Sequence, residues 1–190
     1  MRSIVIIFST FLLMTGFIFL NDVRAGEKEK GIYGGVASCK ACHLTKKSGA
    51  QYKIWKAGPH AKAFEVLKSD EAKAAGKKLG VDDPSTSEKC LKCHVTASGV
   101  AAELKGKKYT AEEGVGCESC HGAGSEYKAR KVMKAISAGK VDGSTLGLIA
   151  PTKEVCVTCH NSESPTFKDF KFDEFAAKIA HPVPPAAIKK

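Results

Sequence analysis

Apolar positions crowd the front of this chain and then scatter into short stripes. Ser3 to Leu20 is an 18-residue run without a charge, preceded by Arg2 and followed by the polar stretch Asn21-Asp22. Beyond it, helical spacing recurs only in brief segments bounded by breakers. Residues 48–56 are predicted as one helix, interrupted at Gly58-Pro59. A second, from His60 to Lys68, carries Ala61, Phe64 and Leu67 on one stripe, and a third covers 70–79 and stops at Gly80. Thr110 and Glu113 have the spacing of a capping box. Residues 125–138 are predicted as the longest helix, ending at Gly139. A last one spans about Asp173 to Ala180, flanked by Phe172, carrying Phe175 and Ile179, and halted by Pro182, Pro184 and Pro185. Strand alternation is scarce. The predicted fold class is mainly α, with short helices and long loops.

The leading apolar run, with Val23 and Ala25 placed for signal-peptidase cleavage, predicts a signal peptide over residues 1–25 and a mature chain over 26–190. At 18 residues the run also approaches the length of a membrane span, so an uncleaved N-terminal anchor is the alternative. The mature 165 residues suit one domain. The precursor carries a formal charge of +10, and removing Arg2, Arg24 and Asp22 with the signal segment leaves +9.

All eight cysteines fall into four copies of one pattern, C-x-x-C-H: Cys39 to His43, Cys90 to His94, Cys117 to His121 and Cys156 to His160. Zinc sites and disulfides also use paired cysteines, but neither requires a histidine after every pair. Covalent haem does. Two thiols three residues apart add to the two vinyl groups of a haem, and the adjacent imidazole reaches the iron. The cofactor-binding residues are therefore Cys39, Cys42, His43, Cys90, Cys93, His94, Cys117, Cys120, His121, Cys156, Cys159 and His160, for four haem c groups. Bacterial attachment of this kind is expected outside the cytoplasmic membrane, in agreement with the signal segment. A lipid anchor would need a further cysteine, and all are committed.

Four haems in 165 residues leave about 41 residues apiece, too few for separate domains. The macrocycles must occupy much of the interior, and the apoprotein is expected to be largely unfolded. Their eight propionates would bring the net charge to roughly +1, which removes the basis for a nucleic-acid reading of the basic composition. First cysteines separated by 51, 27 and 39 residues exclude a regular solenoid.

Ligand arithmetic constrains the irons. Six histidines are present and four are proximal, leaving His60 and His181 as candidate distal ligands. At most two haems can be bis-histidine within one chain. Met133, the sole methionine after the signal segment, is a candidate thioether ligand, with core packing as the ordinary alternative. Trp55, Phe64, Tyr109 and Tyr127 are candidates for packing on haem faces, and core filling accounts for each equally well.

Three segments carry a wider likeness: Trp55-Lys56-Ala57-Gly58-Pro59-His60-Ala61-Lys62-Ala63-Phe64, the stretch Gly114 to Gly122 around the third motif, and Phe170-Lys171-Phe172-Asp173-Glu174-Phe175 ahead of His181. With the four motifs in order, residues 38 to 181 resemble the cytochrome c-554 family of multihaem electron carriers. The resemblance implies a mostly helical fold with haem pairs stacked in parallel or set nearly perpendicular. It also implies that His60 is the distal ligand of the haem at His121 and His181 that of the haem at His160. The haem at His94 would be open, within reach of small ligands such as nitric oxide. The family's distal histidine for the first haem comes from the helix after the third motif. Glu126 to Ala135 contains none, and Met133 is the nearest substitute.

Three functions follow as expectations: an exported carrier passing single electrons between redox partner proteins, a haem enzyme acting on a small nitrogen compound, and a subunit of a conductive filament. A vacant coordination position does not by itself establish catalysis, so no catalytic residue is assigned. The electron carrier leads.

Overall fold

Nine α-helices, none longer than nine residues, carry the described part of the chain. The computed structural model describes residues 31–183. The expected signal segment, its alternative as an anchor and the last seven residues lie outside that range. The helices are α1 (Val36–His43), α2 (Gln51–Ala57), α3 (Ala63–Val66), α4 (Asp70–Lys78), α5 (Glu88–His94), α6 (Cys117–His121), α7 (Arg130–Ser137), α8 (Lys153–Val157) and α9 (Phe172–Ile179). Single 3₁₀ turns link several of them. Among the described residues the only bridge pairing is an isolated parallel one between Tyr33 and Lys105. The mainly α expectation therefore holds.

Local chemistry explains most boundaries. Ser69 starts α4 by accepting a hydrogen bond from the Ala72 N–H at 3.1 Å. Gly80, with φ of +67°, turns the chain after it. The stretch expected as one helix from 60 to 68 divides into a 3₁₀ turn, His60–Lys62, and the four-residue α3. Two expectations are corrected. The helix predicted over 125–138 begins only at Arg130 and is not the longest. Tyr127 is buried and its phenol donates to the carbonyls of His121 and Gly122, at 3.0 and 2.7 Å, which holds the preceding residues in a turn. Thr110 makes no side-chain cap, and Glu113 instead accepts from the Val36 N–H at 2.8 Å, tying two distant segments.

The protein's own core is thin. Its buried apolar residues are Val36, Leu67, Val81, Val95, Ala123 and Tyr127, with Pro84 enclosed against Gly76 of α4. Polar bonds to backbone do much of the joining. The strip Gly114-Val115-Gly116 is held on both sides. Val115 donates to the His60 carbonyl at 3.0 Å, and the Trp55 indole donates to the Val115 carbonyl at 2.8 Å. Gly114 has φ of +71°, and a Cβ there would meet the His60 carbonyl oxygen at 2.8 Å, so the close approach requires glycine. On the other side the buried hydroxyl of Thr96 accepts from the Gly116 N–H at 2.7 Å and lies 2.8 Å from the Ser119 hydroxyl.

Replacing Thr96 by Val keeps the shape, removes the acceptor and strands the buried Gly116 N–H. The expected loss is about 1–3 kcal/mol, read as a lower denaturant midpoint with an unchanged slope.

Candidate functional site

The four Cys-x-x-Cys-His segments sit at helix ends. The first and second close α1 and α5, the third is the whole of α6, and the fourth begins on α8 and turns out of it through His160. Helical spacing of three puts the thiols of the first three pairs on one face with the histidine next to them, and in the fourth a turn closed by the Cys159 and His160 N–H groups on the Cys156 carbonyl keeps the three residues together. Among the described residues no cysteine is paired in a disulfide.

Segments remote in sequence meet at these thiols. The Cys39 and Cys117 sulfurs interact directly; the contact lowers the pKa of Cys39 and, together with burial, raises that of Cys117. Cys93 lies against Cys159 and is pushed up to about 11, first by burial and then by its neighbour's charge. Cys120 is raised by burial and by the nearby Cys156 and Cys159. The first motif thus lies beside the third and the second beside the fourth, with the third within electrostatic range of the fourth. Lys92, inside the second motif, forms a solvent-exposed ion pair with Glu163, just past the fourth.

The histidines are set in two ways. A carbonyl can only accept, so the 2.6 Å contact of His94 Nδ1 with the Ala63 carbonyl places the proton on Nδ1 and leaves the Nε2 lone pair free. His121 does the same with the Ile149 carbonyl at 3.2 Å, and the Ile149 N–H returns a bond to the His121 carbonyl at 3.0 Å. The other relation is ring to ring. His60 faces His160 with centroids 6.0 Å apart and planes at 67°, and His181 faces His121 at 5.9 Å and 43°. Two imidazoles on opposite sides of one metal, each nitrogen ~2 Å from it, have centroids about 6 Å apart.

The resemblance matches His60 with His121 and His181 with His160, whereas the rings nearest one another in the structure are His60 with His160 and His181 with His121. The 3₁₀ turn carrying His60 lies by the fourth motif, and the end of α9 lies by the third. Burial lowers the pKa of His60, His121, His160 and His181, with a nearby imidazole adding to the effect at His60, His121 and His181. They stay neutral at pH 7, the form that ligates metal. His43 acts electrostatically on both His121 and His181. Among the described residues no second imidazole is paired with His43 or His94. Met133 is half-buried on α7.

One residue of the site escaped the sequence. Glu118, between the cysteines of the third motif, is 5% exposed, and its two oxygens accept three backbone N–H bonds. They come from Gly34 and Gly35 at 2.8 Å each and Gly124 at 2.7 Å. The carboxylate clamps the loop before α1 and the loop after α6 onto the third motif. No sequence signal marks it, because two of the three N–H groups come from glycines more than 80 residues away. Three of the four aromatic candidates are engaged with backbone, Tyr109 donating to the Thr96 carbonyl as Trp55 and Tyr127 do to theirs, while the Phe64 ring lies under the Lys68 ammonium.

The donor sets suit a macrocycle better than a bare ion. Each offers two neighbouring thiols and one imidazole, and among the described residues no three His, Cys, Asp or Glu side chains are grouped to hold a metal ion directly. Short helices ending in such segments, around a thin core, define a c-type cytochrome. The family profile described as "Cytochrome c554 and c-prime" matches residues 38–122, which include the first three motifs. A curated relative, cytochrome c-554 of Nitrosomonas europaea, is 35% identical over 181 residues, spanning 77% of this chain and 73% of its own. The chain belongs to the cytochrome c-554 family, whose members carry covalently bound haem c. No solved structure matches it significantly.

Exchanging Glu118 for Gln turns one acceptor oxygen into a donor facing a backbone N–H. A loss of about 2–3 kcal/mol is expected, seen as a lower midpoint in chemical denaturation of the haem-loaded protein.

Proposed function

We propose that this chain is an exported tetrahaem electron carrier of the periplasm or cell exterior. One haem is attached at each of Cys39/Cys42, Cys90/Cys93, Cys117/Cys120 and Cys156/Cys159. His43, His94, His121 and His160 are the proximal ligands, His60 is the distal ligand paired with His160, and His181 is that paired with His121. The first site takes Met133 or stays open, and the second, at His94, stays open.

The observation that carries this reading is the pair of imidazole approaches at two of the four Cys-x-x-Cys-His segments, His60 to His160 at 6.0 Å and His181 to His121 at 5.9 Å between centroids, the spacing of two axial ligands across one iron. Bound haem supplies a one-electron iron couple. The chain's own residues set the spacing and the ligand field. The carbonyls of Ala63 and Ile149 hold His94 and His121 as Nδ1–H tautomers, which raises the donor strength of Nε2. Glu118 ties the third motif to the loop ahead of the first, and the Thr96 hydroxyl ties it to the segment following the second. Partners are redox proteins. Lys107, Lys108 and Lys128 line a recess of about 450 Å³ beside Ser38, next to Cys39, and offer an acidic donor or acceptor a basic approach. Nucleic acid is not a partner, since haem propionates offset the basic charge.

A second reading, a haem enzyme acting on a small nitrogen compound, is favoured only by the lack of a partnering imidazole at His94.

The test is a haemochrome assay with electron paramagnetic resonance on the oxidised monomer. Four haems per chain are expected, with two bis-histidine low-spin centres and a high-spin signal from the open site. His60→Ala and His181→Ala should each remove one low-spin centre. Fewer than four haems would overturn the tetrahaem reading, and four low-spin irons in a verified monomer would overturn the open site.

A further inference from the structure

The ring of His160 is held differently from those of His94 and His121. No carbonyl among the described residues takes its Nδ1 proton. Phe170 stacks on its face instead, with centroids 4.7 Å apart and planes within 10°. The stack continues outward: Phe175 lies parallel to Phe170 at 5.5 Å and 7°, and the Lys178 ammonium sits 4.8 Å from the centroid of Phe175. Phe175 and Lys178 are three residues apart on α9, and Lys178 is pinned by Glu174 at 2.7 Å. Phe170 is half-buried and Phe175 is 38% exposed, so the column runs from the histidine to the surface.

A ligating nitrogen's lone pair lies in the plane of its imidazole. A ring stacked on the imidazole face therefore leaves ligation open. It opposes the one freedom that ligation does not remove, rotation about the metal–nitrogen bond. Turning His160 out of parallel drives its edge toward Phe170, whose far side is backed by Phe175. Offset stacking at this separation is favourable in its own right. The angle so fixed matters because His60 stands across from His160 with planes at 67°. In a low-spin ferric centre, the angle between two axial imidazole planes sets the splitting of the iron d orbitals and hence the g-anisotropy.

We propose that Phe170, backed by Phe175, is a positioning residue that fixes the rotation of the His160 imidazole and thereby the electronic structure of the fourth haem site. The inference rests on His160 being a ligand, as proposed above, and replaces with an aromatic face the carbonyl that orients the histidines of the second and third motifs.

The test uses haem-loaded protein and low-temperature electron paramagnetic resonance. Phe170→Leu should shift the g-values of one low-spin centre while haem stoichiometry stays unchanged. Phe170→Tyr, which keeps the stack, should leave the wild-type signal in place. Phe175→Leu should give a smaller shift in the same direction, and it serves in place of Phe170→Leu if that variant does not fold. The reference is His160→Met. If that substitution leaves every low-spin signal intact, the ligand reading itself fails. If it removes or converts one signal, and that signal is indifferent to Phe170→Leu and Phe175→Leu, His160 remains a ligand and the positioning role is overturned.

Discussion

A carboxylate with both oxygens committed to backbone N–H groups holds the centre of this molecule. Glu118 joins the loop at Gly34-Gly35 to α6 and to Gly124, spanning 84 residues of sequence at its longest reach. Few apolar side chains are buried nearby to perform that task by packing. An acid buried at this depth is tolerated because every approach to it is a donor. The meeting of Cys39 with Cys117 depends on it, since α1 follows the clamped glycines directly and Cys117 precedes Glu118.

The histidine rings are brought together by long-range contacts that local sequence does not carry. His60 follows a Gly-Pro break, and its carbonyl is occupied by Val115, next to the third motif. That bond fixes the backbone beside the third motif while the ring points toward the fourth. Backbone and side chain of one residue thus belong to different sites. A residue-by-residue transfer from a family pattern matched the histidine to the segment its backbone touches.

Much of the architecture was legible. Gly80, the Gly58-Pro59 break and the proline-rich end bounded α4, α2 and α9 to within a residue or so, and the cysteine pattern located the chemistry without any structural help. What could not be read were the groups that satisfy backbone from a distance. Tyr127 displaced the start of α7 by capping two carbonyls, and Glu113 left the expected capping box for Val36. Glu118 occupies a variable position of a repeated motif, where spacing carries no information. Each is a polar group finding a partner through tertiary structure, and such choices override local propensity.

The motif contacts are interleaved: the first reaches forward to the third, and the second to the fourth. A chain made from its N-terminus therefore cannot close a first half before starting a second. A product truncated ahead of residue 117 would present Cys39 and the Gly34-Gly35 amides with nothing to receive them. The loop ahead of the first motif thus waits on a segment made much later, and closing it carries the entropy cost of a long-range contact.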